Sequence, residues 1–142
     1  MIYTPLTKAA MKLCFAAHKD QLDKSGIPYV FHPIHLAEQM ADEYTTVVAL
    51  LHDVMEDTPY TRDDLAQMGY PEPVLDSLTL MTHAQGVPYM DYVRAIKENP
   101  IARQVKLADL RHNSDLSRLE EITPKALERV EKYKKALAIL EE

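Results

Sequence analysis

The chain has no tryptophan, two phenylalanines, three glycines and one cysteine in 142 residues. A lone cysteine, Cys14, excludes an intrachain disulfide framework and fits a reducing, cytoplasmic compartment. With glycine only at positions 26, 69 and 86, neither a P-loop nor a GxGxxG turn can be built, which excludes ATP or dinucleotide binding through those motifs. No apolar run exceeds five residues, as in Val47–Leu51, whereas a transmembrane helix needs ~20. Met1-Ile2-Tyr3-Thr4-Pro5 offers neither a basic n-region nor an apolar h-region, so no secretory leader is expected. Positive charge is scarce as well. Sixteen basic against 22 acidic side chains give a net charge of −6, which argues against DNA, RNA or an anionic membrane as partner. An anionic small molecule would need local cations or a metal ion to bind.

What is present is helical periodicity, with no period-2 strand, repeat or low-complexity tract. Thr4-Pro5 reads as a cap and first helical residue, followed by Leu6, Ala10, Leu13, Cys14 and Ala17 on one face. Asp20 to Phe31 reads as a loop. Pro33 is expected to start a second helix, with Leu36, Ala37 and Met40 inward. Thr45 is expected to cap a third, whose Val47, Val48, Leu50, Leu51, Val54 and Met55 are apolar almost all round and imply a central, buried position. Thr58-Pro59 stops it. Thr61 and Gly69 bracket a fourth helix, and Pro73–Leu80 a fifth. His83–Gly86 reads as a turn, and Tyr89–Glu98 as a sixth helix. Pro100 opens a seventh, with Ile101, Val105, Ala108 and His112 on one face, and Thr123-Pro124 opens the last. The class is all-α, a bundle of roughly seven or eight short helices in a single domain spanning 1–142.

The third helix carries the chemistry. His52 and Glu56 are spaced i, i+4, as are Asp53 and Asp57, so on a continuous helix each pair shares a side. Polar groups on a buried helix are costly unless compensated, and a divalent cation on imidazole and carboxylate ligands is the simplest compensation. His32 before Pro33, and Asp109 among apolar neighbours in Lys106-Leu107-Ala108-Asp109-Leu110, fit the same centre from two other helices. Among the other histidines, His18 and His35 read as either surrounding or surface groups, His83 as a turn residue, and His112 as a core histidine. Cys14 reads as a small core residue, and Tyr89 and Tyr92 as packing residues.

An isolated His, then His-Asp, then a distant Asp resembles the HD superfamily of metal-dependent phosphohydrolases. Three longer segments resemble the Rel/Spo alarmone hydrolases. Lys24-Ser25-Gly26-Ile27-Pro28-Tyr29-Val30-Phe31-His32-Pro33 is similar to the segment that delivers their first histidine. Ala49-Leu50-Leu51-His52-Asp53-Val54-Met55-Glu56-Asp57-Thr58 resembles their His-Asp plus Glu-Asp motif. Val105-Lys106-Leu107-Ala108-Asp109-Leu110-Arg111-His112-Asn113 resembles their final metal Asp followed by Asn. The resemblance runs in order from about Ala16 to Leu119.

The resemblance implies one Mn²⁺ held by His32, His52, Asp53 and Asp109, with Glu56 and Asp57 as the catalytic pair. It further implies Lys24 and Ser25 in a nucleotide pocket, and Asn113 as a ribose-side contact. The implied reaction removes the 3′-pyrophosphate of guanosine tetra- or pentaphosphate. Lys24, Lys106 and Arg111 are the cations that the motifs bring near this anion. Asp23 departs from the pattern, because family members usually place there an arginine that packs on the purine. Weaker purine binding is therefore expected, with Asp23→Arg restoring it. Two other readings stand beside the first. One is an HD phosphohydrolase acting on NADPH or a nucleoside phosphate; the other is a catalytically silent HD module that binds nucleotide and regulates.

Overall fold

Prolines and short polar side chains decide where the helices begin. The computed structural model describes residues 1–142 and contains nine α-helical segments and no strand. They are α1 (Pro5–His18), α2 (Phe31–Glu38), α3 (Glu43–Leu51), α4 (Val54–Asp57), α5 (Arg62–Gln67), α6 (Glu72–Met81), α7 (Tyr89–Lys97), α8 (Pro100–Asn113) and α9 (Pro124–Glu141). A single 3₁₀ turn, Leu116–Arg118, follows α8 and was not legible in the sequence. Thr4 and Thr7 form a reciprocal capping pair at α1, as do Thr61 and Asp64 at α5. Asn99 accepts from the Ile101 and Ala102 amides ahead of α8, and Thr123 accepts from Ala126 ahead of α9. Gly69, at φ +97°, ends the α5 region in the left-handed conformation that favours glycine.

Three boundaries differ from the sequence reading. The second helix begins at Phe31, so Pro33 lies inside its first turn, where no intrahelical N–H is needed. The cap of α3 is Asp42, whose carboxylate accepts from the Thr45 amide at 2.9 Å, and Thr45 itself is buried. The expected third helix is divided, which makes nine segments where roughly seven or eight were expected. Its interruption is at His52-Asp53, with Asp53 at φ −106°, ψ 2°. The cause is local. His52 Nδ1 hydrogen-bonds the Ala49 carbonyl at 2.8 Å, the acceptor that a continuous helix would offer to the Asp53 amide. The chain turns there and resumes as α4.

Every residue of α3 from Thr45 to Leu51 is buried. α1, α2, α6 and α8 pack around it, and α7 and α9 close the far side against α8. Leu36, Leu50, Leu51, Leu75 and Leu78 are almost wholly removed from water, each contributing roughly 1.5–3 kcal/mol. That aliphatic core fixes the ends of α2, α3 and α8 beside one another. No helix is long and apolar enough to cross a membrane. Because Asp42 and not Thr45 caps α3, Asp42→Ala is expected to cost about 1 kcal/mol, read as a lower urea midpoint at unchanged slope.

Candidate metal and nucleotide site

Three side chains from three helices meet at the end of α3. His32 comes from the first turn of α2, His52 from the residue after α3, and Asp109 from the middle of α8. All three are buried, and one ligand atom from each lies within 4.8 Å of the others. His32 Nε2 is 2.9 Å from Asp109 Oδ1, and His52 Nε2 is 3.5 Å from the same oxygen. Asp53 stands at the edge of this group and is partly exposed. Its Oδ2 is 3.2 Å from His52 Nε2 and accepts a hydrogen bond from the Tyr29 hydroxyl.

The hydrogen bonds around the group show what it is suited to hold. His52 Nδ1 carries its hydrogen toward the Ala49 carbonyl, so Nε2 presents a lone pair. That lone pair is buried, has no hydrogen-bond partner, and faces two carboxylate oxygens. Lone pairs converging on one point need a cation between them. The carboxylates agree with this. Burial and the neighbouring Asp109 push the Asp53 carboxyl well above the usual range. Burial also opposes ionisation of Asp109, but the Lys106 ammonium leads the groups that outweigh it and hold Asp109 well below that range. The residues present therefore fit a divalent ion on mixed nitrogen and oxygen ligands, with His32, His52 and Asp109 grouped and Asp53 adjacent.

Behind these residues lies support that sequence reasoning missed. Lys106 Nζ is 2.9 Å from Asp109 Oδ2 and is itself mostly buried. Burial disfavours its charge, but Asp109 more than compensates and holds the ammonium protonated. Asn113 Nδ2 donates to Asp109 Oδ1 at 3.0 Å. His112 is half-buried and not a core histidine. It stacks parallel to His32 with centroids 5.0 Å apart, and the two Nδ1 atoms are 2.7 Å apart. One of the pair must donate to the other, so His112 fixes the His32 tautomer. The available signal was the spacing: Lys106, Asp109, His112 and Asn113 lie at i−3, i, i+3 and i+4, one face of α8.

The other sequence candidates distribute as follows. Glu56 is exposed on α4, its Oε1 accepting the His83 amide at 3.1 Å while its second oxygen makes no protein hydrogen bond. Asp57 ends α4, also exposed. The break at His52-Asp53 removes the continuous helix on which the two i, i+4 pairs were expected to share sides. Buried His18 stacks edge-on to Tyr29, which places it inside the protein. Exposed His35 stacks on His112. Cys14 is buried, its thiol pushed up to about 12 by desolvation and by Asp53, so it is inert. Tyr92 is buried and donates to the Met81 carbonyl, as a packing residue does.

A cavity of about 330 Å³ opens beside the group. His32, Tyr29 and Asn113 line it near the group, together with Lys24, Ser25 and Arg118. Ser25 also ties the 19–30 loop to the rest of the fold, its hydroxyl donating to the Arg118 carbonyl at 2.9 Å. Asp23 turns out to be a loop-building residue. Its Oδ1 accepts the Ser25 and Ile27 amides at 2.8 and 3.0 Å, and its Oδ2 lies 3.8 Å from Arg118. Arg111 does not serve the cavity; it pairs with Glu141 on the outer surface.

A probable GTP pyrophosphokinase from Mycobacterium leprae is 32% identical over 120 residues, covering 76% of this chain and 15% of that protein. The bifunctional (p)ppGpp synthase/hydrolase SpoT of Escherichia coli is 37% identical over 111 residues, covering 68% of this chain and 16% of that protein. The chain belongs to the Rel/Spo family of HD-type domains. It spans about one sixth of the length of the curated Rel/Spo relatives it matches. No protein-family model matches it. Among solved structures, a metazoan SpoT orthologue described as hydrolysing ppGpp superposes with a TM-score of 0.77 at 24% identity. The superposition covers 99% of this chain and 88% of that one, and it establishes the shared all-α Rel/Spo fold.

Proposed function

We propose that this chain, as one HD domain over 1–142, is a Mn²⁺-dependent hydrolase of the 3′-pyrophosphate of guanosine tetra- or pentaphosphate, acting in the cytoplasm. The observation that carries the reading is the buried, unpartnered lone pair of His52 Nε2 among His32, Asp53 and Asp109, at the wall of a nucleotide-sized cavity. The names of the relatives supply the substrate, since four of them are called guanosine-3′,5′-bis(diphosphate) 3′-pyrophosphohydrolase or (p)ppGpp synthase/hydrolase. A divalent ion on His32, His52, Asp53 and Asp109 would neutralise charge on a phosphoryl oxygen and acidify water.

The protein's own residues divide the remaining work. Water adds to the phosphorus attached to the ribose 3′ oxygen, and the phosphorus–3′-oxygen bond breaks. The products are pyrophosphate and GDP or GTP. Two protons must move: one leaves the water and one reaches the departing 3′ oxygen. Glu56 and Asp57 are the exposed carboxylates that accept and deliver them. His83 holds Glu56 by one oxygen and leaves the other free for water. Lys24, Ser25 and Asn113 line the nucleotide's side of the cavity. Lys106 and His112 hold Asp109 and His32 in position.

The test is incubation of the manganese-loaded chain with guanosine tetraphosphate, with products separated by anion exchange. GDP and pyrophosphate are expected. Turnover of NADPH or a nucleoside phosphate in its place would transfer the reading to that substrate. Metal binding with no turnover of any nucleotide would make the chain a regulatory module.

Asp23→Arg separates the structural from the sequence-based view of that position. It removes the acceptor for two loop amides and sets a second cation beside Arg118. It is expected to cost about 1–2 kcal/mol of stability and to raise KM. A lower KM would reinstate the purine-stacking role.

A further inference from the structure

The two carboxylates of α4 assigned to proton transfer are held differently. Glu56 is anchored by its own side chain, which accepts the His83 amide. The Asp57 carboxylate makes no hydrogen bond or ion pair with the protein, so its place is set by its main chain alone. That main chain needs outside support. α4 is a single turn of four residues, of which Val54 is buried, and a helix that short does not hold itself. Thr58 beyond it is extended, at φ −138° and ψ 167°, and the Asp57 carbonyl is one of the orphan acceptors of a last helical turn. It accepts from Gln21 Nε2 at 3.0 Å. Gln21 comes from the loop after α1 and is not on the wall of the cavity.

A second residue fixes the direction of that amide. A carbonyl oxygen can only accept, so Gln21 must turn Nε2 toward Asp57 and Oε1 the other way. Oε1 lies 2.8 Å from His18 Nδ1. Burial lowers the His18 pKa, so the ring is neutral with one hydrogen, and that hydrogen sits on Nδ1, facing Oε1. His18 Nε2 is then a lone pair, buried and without a partner. An orphaned acceptor in the interior is unfavourable, and an apolar side chain at position 18 would avoid it. What imidazole supplies there, and an apolar side chain would not, is the Nδ1 hydrogen bond to Gln21. The Gln21 main chain does separate work. Its carbonyl accepts the Tyr29 amide at 2.9 Å, and the Tyr29 hydroxyl in turn donates to Asp53.

We propose that Gln21, oriented by His18, is the positioning residue for Asp57: it holds the end of α4 so that the Asp57 carboxylate stays where protons are exchanged. The inference deepens the proposed function and rests on it for the role of Asp57. It also states which change is tolerated. Asparagine carries its amide nitrogen about where histidine carries Nδ1, so His18→Asn keeps a donor to Gln21 and His18→Leu does not.

Amide hydrogen exchange and steady-state kinetics on the metal-loaded full chain test this together. Gln21→Met keeps the length of the side chain and removes the donor. In that variant the Asp57 and Thr58 amides, which close α4 on Asp53 and Val54, should exchange about 5–10-fold faster, the size of one lost hydrogen bond. The amides of Val48, Ala49, Leu50 and Leu51 in α3 should be unchanged. With guanosine tetraphosphate, kcat should fall ~10-fold or more, because small misplacements of a reacting group are costly, while KM and metal content hold. His18→Leu should repeat both effects, and His18→Asn should retain near-wild-type behaviour in both. In an Asp57→Asn background, Gln21→Met should change kcat by less than roughly two-fold, since the two residues act as one unit. Unchanged exchange at Asp57 and Thr58, or an undiminished kcat effect in the Asp57→Asn background, would overturn the proposal. So would faster exchange with kcat intact. If exchange quickens but the wild type turns over no guanosine tetraphosphate, the tie between Gln21 and α4 stands and the hydrolase reading fails.

Discussion

Replacing His52 and Asp53 together by alanine is expected to remove the bound divalent ion and abolish hydrolysis while the fold survives. The wild type should carry about one ion per chain by elemental analysis, and the double variant none. The fold should survive because α3 is anchored by Val47, Val48, Leu50 and Leu51, not by the polar pair that follows it. Removing the pair also deletes the lone pair and the carboxylate that oppose one another when no cation is bound. Thermal unfolding gives a second readout. An ion at 100 times its Kd should stabilise the wild type by about 2.7 kcal/mol, and the variant should show no such rise. A single change at Asp109 would be harder to interpret. It would strand the buried Lys106 ammonium, and breaking such a pair costs about 3–5 kcal/mol. His112→Ala gives a graded version, with affinity for the ion expected to fall roughly 10–100-fold as the His32 tautomer is freed. Full metal occupancy in the His52, Asp53 double variant would refute the ligand assignment.

The helices were legible because their signals are local. Thr4-Pro5, Thr61 with Asp64, and Thr123-Pro124 each announce a helix start through chemistry contained within one turn. The break at His52-Asp53 was not legible. It depends on a side chain taking the Ala49 carbonyl, and the apolar pattern runs through it undisturbed from Val47 to Met55. His32, His52 and Asp109 stood out as polar residues in apolar settings, a signal that survives without knowing how the helices pack. The supporting roles of Lys106, His112 and Arg118 did not, because they depend on what the fold brings together: His112 meets His32, Arg118 meets Asp23, and Lys106 serves an Asp109 that the packed helices bury. The loop-building contacts of Asp23 were not legible for the same reason. Its meaning lies in two amides of its own loop and in Arg118, and only the folded loop brings these together.

Glu56→Gln is expected to lower kcat by ~10²-fold or more and to leave the metal content at the wild-type level. The substitution is close to isosteric. Gln Oε1 can still accept the His83 amide, so the turn that Glu56 anchors should be preserved. What is lost is the ability of the free oxygen to take a proton from water. Asp57→Asn applies the same logic to the second exposed carboxylate, and comparing the two assigns the steps. The variant that loses the acidic limb of the pH–rate profile has lost the base, and the one that loses the alkaline limb has lost the acid. Glu56→Ala serves as the control for anchoring. It removes both the proton acceptor and the His83 contact, so any extra loss beyond Glu56→Gln measures what the turn contributes to positioning. A kcat within a few-fold of wild type in Glu56→Gln would leave Glu56 only its structural contact with His83 and shift the proton chemistry to Asp57. Loss of the metal from either variant, with the helical content intact, would move that residue from proton transfer into the ligand set.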